Sequence, residues 1–163
     1  MRRGHSRGEF VTEDNAIEGT NGSRNTMPRG STDVLELKLP LKPEYLPVIR
    51  ATAGVIAGGM SFNYDEIVQV RVAVAEAFDL TMLRNNLRTA HPGGTELVVR
   101  FTVSPDRLEI LIPTLTGAGE AVASQEETES VAVLRSLMDE VEFTGDAQEI
   151  PSIRLIKYRA TVS

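Results

Sequence analysis

The sequence predicts an α+β domain, a two-layer sandwich in which a mixed, largely antiparallel sheet carries helices on one face. Two observations lead there. Short segments with the two-residue alternation of half-buried strands are interleaved with segments of helical periodicity. Their order is strand, helix, helix, two strands, helix, two strands, which does not alternate as a parallel sheet would require. With 163 residues and 41% hydrophobic content, the chain has enough apolar side chain for one sizeable core.

The first 32 residues, MRRGHSRGEFVTEDNAIEGTNGSRNTMPRGST, are rich in Gly, Asn, Ser, Thr and charge. Without periodicity they bury too little to offset their ordering entropy, so a disordered tail is expected over 1–32 and a folded domain over 33–163. Met27 falls just before the pattern changes, and a translation start there is one expectation. DVLELKLPL then alternates as a strand, ended by Pro40 and Pro43. Leu46, Ile49, Ala53 and Ile56 recur at helical spacing, with Pro47 tolerated in the first turn and Gly58-Gly59 as the stop.

Asn63, followed three residues later by Glu66, marks the start of a second helix running to about Asn86. Ile67, Val70, Val74, Ala77 and Phe78 share its apolar side. His91-Pro92-Gly93-Gly94 reads as a turn. TELVVRFTVS and RLEILIP read as a hairpin about Pro105-Asp106, and TLTGAGEAVASQEE as a loop. SVAVLRSLMDEV is expected as a short helix with Val131, Leu134, Leu137 and Met138 inward. VEFTG and SIRLIKYRATV close the chain as strands.

Composition narrows the function. The formal charge is −6; five Arg against four acids give residues 1–32 a net +1, leaving −7 for the rest. That is the wrong sign for a surface tracking nucleic-acid phosphates. There is no cysteine, so neither a disulfide nor a thiol nucleophile is available. With only His5 and His91, a histidine-based zinc site or a Ser-His-Asp triad has little to build on, and His91 reads as a turn residue. No apolar run approaches a membrane span, because Arg50 interrupts the best candidate, and no apolar signal core precedes it. A cytoplasmic protein is expected.

Three blocks, LKPEYLPVIRATAGVIAGGMSFNYDEIVQVRVAVAEA, VVRFTVSPDRLEILI and LRSLMDEV, resemble the RsbW and SpoIIAB family of anti-sigma factors across roughly residues 34–159. The resemblance implies the ATP-binding fold shared with histidine kinases and GyrB-type ATPases, the GHKL fold. It also implies two activities: sequestering an alternative sigma factor, and phosphorylating a serine on an anti-anti-sigma partner of the STAS type.

Residue by residue, the second activity looks degraded. The family's second helix carries Glu-Ala-Cys-Thr-Asn, with Glu as base and Asn holding Mg²⁺; this chain has Glu76-Ala77-Phe78-Asp79-Leu80. An isobutyl group cannot replace an oxygen donor for a cation that demands oxygens. Asp79 lies about 100° around the helix from position 80. Where the family has Asp-x-Gly against adenine, this chain reads Thr114-Leu115-Thr116, with Gly117 and Gly119 nearby. The family's Gly-rich phosphate loop falls on Glu127-Thr128-Glu129-Ser130, whose two carboxylates repel a triphosphate.

Glu76 is therefore either the remnant of a catalytic base or a solvated helix carboxylate, and the second reading is favoured for present-day chemistry. Arg50 matches a family arginine on the surface that meets sigma and anti-anti-sigma partners; the alternative is an ordinary snorkelling side chain. Glu44, Tyr45 and Arg71 flank it as further partner-binding candidates. The acidic run Glu126-Glu127-Glu129 reads as a solvated loop. The expected protein is an anti-sigma factor that binds an alternative sigma factor directly, with no ATP or Mg²⁺ used, and is released by a STAS partner. A homodimer, through the first helix and the nearby sheet edge, follows from the resemblance. An active serine kinase with a rewired nucleotide site is the alternative, as is a decoy that binds only STAS proteins.

Overall fold

The computed structural model describes residues 30–85, 95–114, 124–145 and 150–160. It is α+β, with five strands and three α-helices among the described residues. The strands are β1 (Asp33–Pro40), β2 (Glu96–Val103), β3 (Arg107–Pro113), β4 (Glu140–Thr144) and β5 (Ser152–Tyr158). They lie in the order β1-β2-β3-β5-β4, and every pairing among them is antiparallel. The helices are α1 (Leu46–Gly59), α2 (Tyr64–Arg84) and α3 (Gln125–Leu137), with a single 3-10 turn, Pro43–Tyr45, leading into α1. The expected tail lies outside the described residues up to position 29, as do the His91-Pro92-Gly93-Gly94 turn and Gly117 and Gly119.

Strict alternation in β2 and β3 sets the two faces of the sheet. Leu97, Val99, Phe101 and Val103 of β2, Leu108, Ile110 and Ile112 of β3, and Ile153 and Leu155 of β5 are buried in the core. They meet Ile49, Ala53 and Ala57 of α1, Val70, Val74, Ala77 and Phe78 of α2, and Leu134 of α3. Each Val, Leu, Ile or Phe side chain among them contributes roughly 1.5–3 kcal/mol on removal from water. The opposite face is polar and cross-linked. Register aligns Glu36, Arg100, Leu111, Arg154 and Glu142 across all five strands. Arg100 donates to Glu36 at 2.7 Å, and Arg154 donates to Glu142 and to Glu109, each at 2.8 Å.

The helix ends follow local chemistry. At α2 the Asn63 side chain accepts from Glu66 N (2.9 Å), and Glu66 Oε2 accepts from Asn63 N (2.8 Å), the reciprocal box expected from sequence. The helix ends at Arg84, with Asn85 as its cap. α1 runs to Gly59, the expected Gly58-Gly59 stop, and the left-handed residue that follows is Ser61 (φ 63°). α3 begins at Gln125, five residues before the expected Ser130, because Ser124 caps it, accepting from Glu127 N at 3.2 Å. The run Glu126-Glu127-Glu129 is therefore helical, not loop, with Glu126 and Glu127 in the first turn, where carboxylates suit the helix dipole.

Candidate functional site

Two groups of residues separate on α2. Glu76, Leu80 and Arg84 succeed one another at four-residue spacing, each about 40° around from the last, and form one stripe. Arg71 is about 140° around from Glu76, and belongs to the seam with α1.

The Glu76 stripe points toward the end of β3 and the start of α3. Glu76 is half-buried, and no hydrogen bond or ion pair to it exists among the described residues. One turn on, Leu80 is 1% exposed, packed into the core. One turn further, Arg84 Nε donates to Glu127 Oε1 at 2.6 Å, and its guanidinium carbon lies 4.9 Å from the centre of the Phe143 ring. Thr114 at the exit of β3 is fully buried. Its amide and hydroxyl both donate to Pro151 O, at 2.7 and 3.0 Å, and its carbonyl accepts from the Asn85 side chain.

These positions do not fit a magnesium nucleotide. The side chain at the metal-ligand position is a buried hydrocarbon, with no lone pair for a hard cation. Where the resemblance puts a carboxylate that accepts from adenine, Thr114 is fully buried and brings no carboxylate. At the phosphate position a carboxylate is already paired with an arginine. The loop reading of Glu127 is thus corrected: it is half-buried and ion-paired, 43 residues in sequence from its partner. Arg84 was missed in the sequence, because a pair 43 residues apart leaves no local pattern.

The second group sits on the α1–α2 seam. Arg50, on α1, is half-buried, and its Nε is buried with no hydrogen-bond partner among the described residues. An orphaned donor of this kind costs free energy unless something satisfies it. One turn along α1, Gly54 makes room for Arg71: a Cβ there would sit 2.9 Å from Arg71 Cδ. The Arg71 stem therefore lies across α1 while the residue stays exposed. Glu44 and Tyr45 form the 3-10 turn just before α1, both exposed, with Tyr45 as the helix cap. Val48 and Val55 leave apolar surface on the outer side of α1.

Relatives agree with this fold. The chain is 33% identical over 137 residues to the serine-protein kinase RsbW of Bacillus pumilus, covering 72% of this chain and 82% of that one. The chain belongs to the RsbW family. RsbW of Bacillus subtilis is 35% identical over 86 residues, 52% of this chain and 51% of its own. An RsbW of Bacillus licheniformis is 42% identical over 82 residues, about half of each chain. No family model matches the chain. The family is one of anti-sigma factors and serine kinases, and the five-stranded antiparallel sheet with three helices is consistent with its GHKL-like fold. Among the described residues no helix is long and apolar enough to cross a membrane.

Proposed function

We propose that this chain is an anti-sigma factor that acts by stoichiometric binding, with the kinase activity of its relatives lost. An alternative sigma factor is held on the α1–α2 seam around Arg50, with Arg71, Glu44 and Tyr45 at its margin. A STAS-type anti-anti-sigma protein releases it by competition. The observation that carries the binding surface is half-buried Arg50, whose Nε has no partner among the described residues and which an acceptor from a partner would satisfy as the side chain turns outward. Loss of catalysis is supported by the engagement of Thr114 with Pro151, of Glu127 with Arg84, and by the burial of Leu80. Phosphoryl transfer depends almost wholly on positioning and charge neutralisation, which these three residues do not offer. A homodimer formed through α1 and the outer edge of β1, where Val34 and Leu35 are exposed, belongs to the same reading.

The test is titration of purified sigma factor onto immobilised protein. Arg50→Glu weakens binding by about tenfold or more, the range of a buried interface arginine, and Glu76→Ala leaves it unchanged. The opposite pattern would assign the surfaces the other way round. One observation favours a second reading, an active serine kinase: Glu76 persists half-buried and unpaired among the described residues. Transfer of labelled phosphate from ATP to a STAS protein, abolished by Glu76→Ala, would establish it. Tight STAS binding with no sigma binding would mark a decoy instead.

A further inference from the structure

Arg84 closes the last turn of α2, where a cation complements the negative end of the helix. Its guanidinium reaches the first turn of α3, donating from Nε to Glu127 Oε1 at 2.6 Å and pairing with the same oxygen through Nη2. The ring of Phe143, on β4, lies 4.9 Å from its carbon. The two charged side chains are only 24% and 19% exposed, well withdrawn from solvent screening. The same turn of α2 is anchored to the sheet, because the Asn85 side chain donates to Thr114 O at the exit of β3. One guanidinium thus joins α2, α3 and β4.

A negative group set against the first turn of a helix and facing an arginine is the arrangement that a bound phosphate makes. Here the chain carries that group itself. We propose that Arg84, Glu127 and Phe143 form a built-in latch, in which the Glu127 carboxylate stands in for a ligand phosphate and holds α3 against α2 with nothing bound. The inference rests on the reading above that the nucleotide site is out of use, and it supplies a physical consequence: α3 is docked without any ligand. Breaking a part-buried pair strands its other charge, so loss of Glu127 releases α3 selectively.

Amide hydrogen exchange on the full chain tests this, comparing wild type with Glu127→Ala and Glu127→Gln. Each is measured in sodium tripolyphosphate and in sodium chloride of matched ionic strength, and the wild type also with magnesium ATP. The wild type protects α3 equally in both salts. Glu127→Ala exchanges about tenfold faster over 125–137 while β2 and β3 keep their protection, and tripolyphosphate, unlike chloride, restores part of the loss. Glu127→Gln keeps the shape without the charge and shows a smaller loss of the same kind; it carries the test if the alanine variant does not fold. If the wild type ignores magnesium ATP and α3 stays protected in both variants, the latch is overturned and the partner-binding reading stands. If magnesium ATP protects α3 in the wild type, the nucleotide site is in use, and both fail.

Discussion

Leu80 concentrates the chemistry of this site in one side chain. It sits on the Glu76 stripe, one turn from the carboxylate and one turn from Arg84, yet it is 1% exposed and belongs to the core. Restoring an amide there does not restore a metal site, because the pocket around it is apolar. Leu80→Asn removes buried methyl groups and buries a polar group among hydrocarbon, costing about 2–4 kcal/mol. Urea unfolding with and without magnesium ATP checks this: the midpoint drops, and magnesium ATP does not bring it back. Recovery by magnesium ATP would show that a single substitution had rebuilt the site. Leu80 and Thr114 stood out in the sequence because each is a change of residue type at a position the resemblance defines. The partner of Glu127 did not, since a pair 43 residues apart leaves no local pattern.

At the scale of elements, what sequence showed and what it hid both trace to helix ends. The start of α2 was legible because both halves of its cap are local: Asn63 and Glu66 satisfy each other's backbone donors. The end of α1 was legible too, because the Gly58-Gly59 pair marks the stop and α1 runs to Gly59; the chain turns two residues later. There Phe62 N donates to Ala57 O at 3.3 Å and Ser61 N to Gly58 O at 3.2 Å, the paired bonds of a Schellman ending. That ending needs a left-handed residue, and Ser61 takes the position at φ 63° although glycine suits it better. Ser61→Gly relieves the backbone and raises stability by about 0.5–1 kcal/mol, partly offset by the greater freedom of the unfolded chain. Thermal unfolding reads it as a higher Tm; an unchanged or lower Tm would mean the turn holds Ser61 without strain. The early start of α3 was hidden. Its cap is a lone Ser124 ahead of six polar residues, so apolar periodicity begins only near Val131.

For the whole molecule, charged side chains on the open face of the sheet join β1 to β2, β3 to β5 and β5 to β4, and this bears on how stability responds to pH. Arg154 bridges Glu109 on β3 and Glu142 on β4, and those two hydrogen bonds push its pKa further above an already high ordinary value. Its charge therefore persists at any working pH. Tyr158 differs. Its hydroxyl donates to Glu140 at 2.7 Å, and that bond raises its pKa above the ordinary 10.0, because ionisation would set a phenolate against a carboxylate. A group that holds its proton more tightly folded than unfolded contributes stability that is complete below the unfolded pKa. That contribution is lost as pH rises through the folded value. The increment from Tyr158 is thus present at neutral pH and disappears on the alkaline side of pH 10. In a spectrophotometric titration of the three tyrosines, one phenol ionises later than the others, and Tyr158→Phe removes that late component. Glu140→Gln lowers the late phenol toward the ordinary value, because the amide accepts the same hydrogen bond but adds no charge to repel the phenolate. If the late component survives Tyr158→Phe, another tyrosine carries it, and the β4–β5 hydrogen bond does not govern the alkaline limit of the fold.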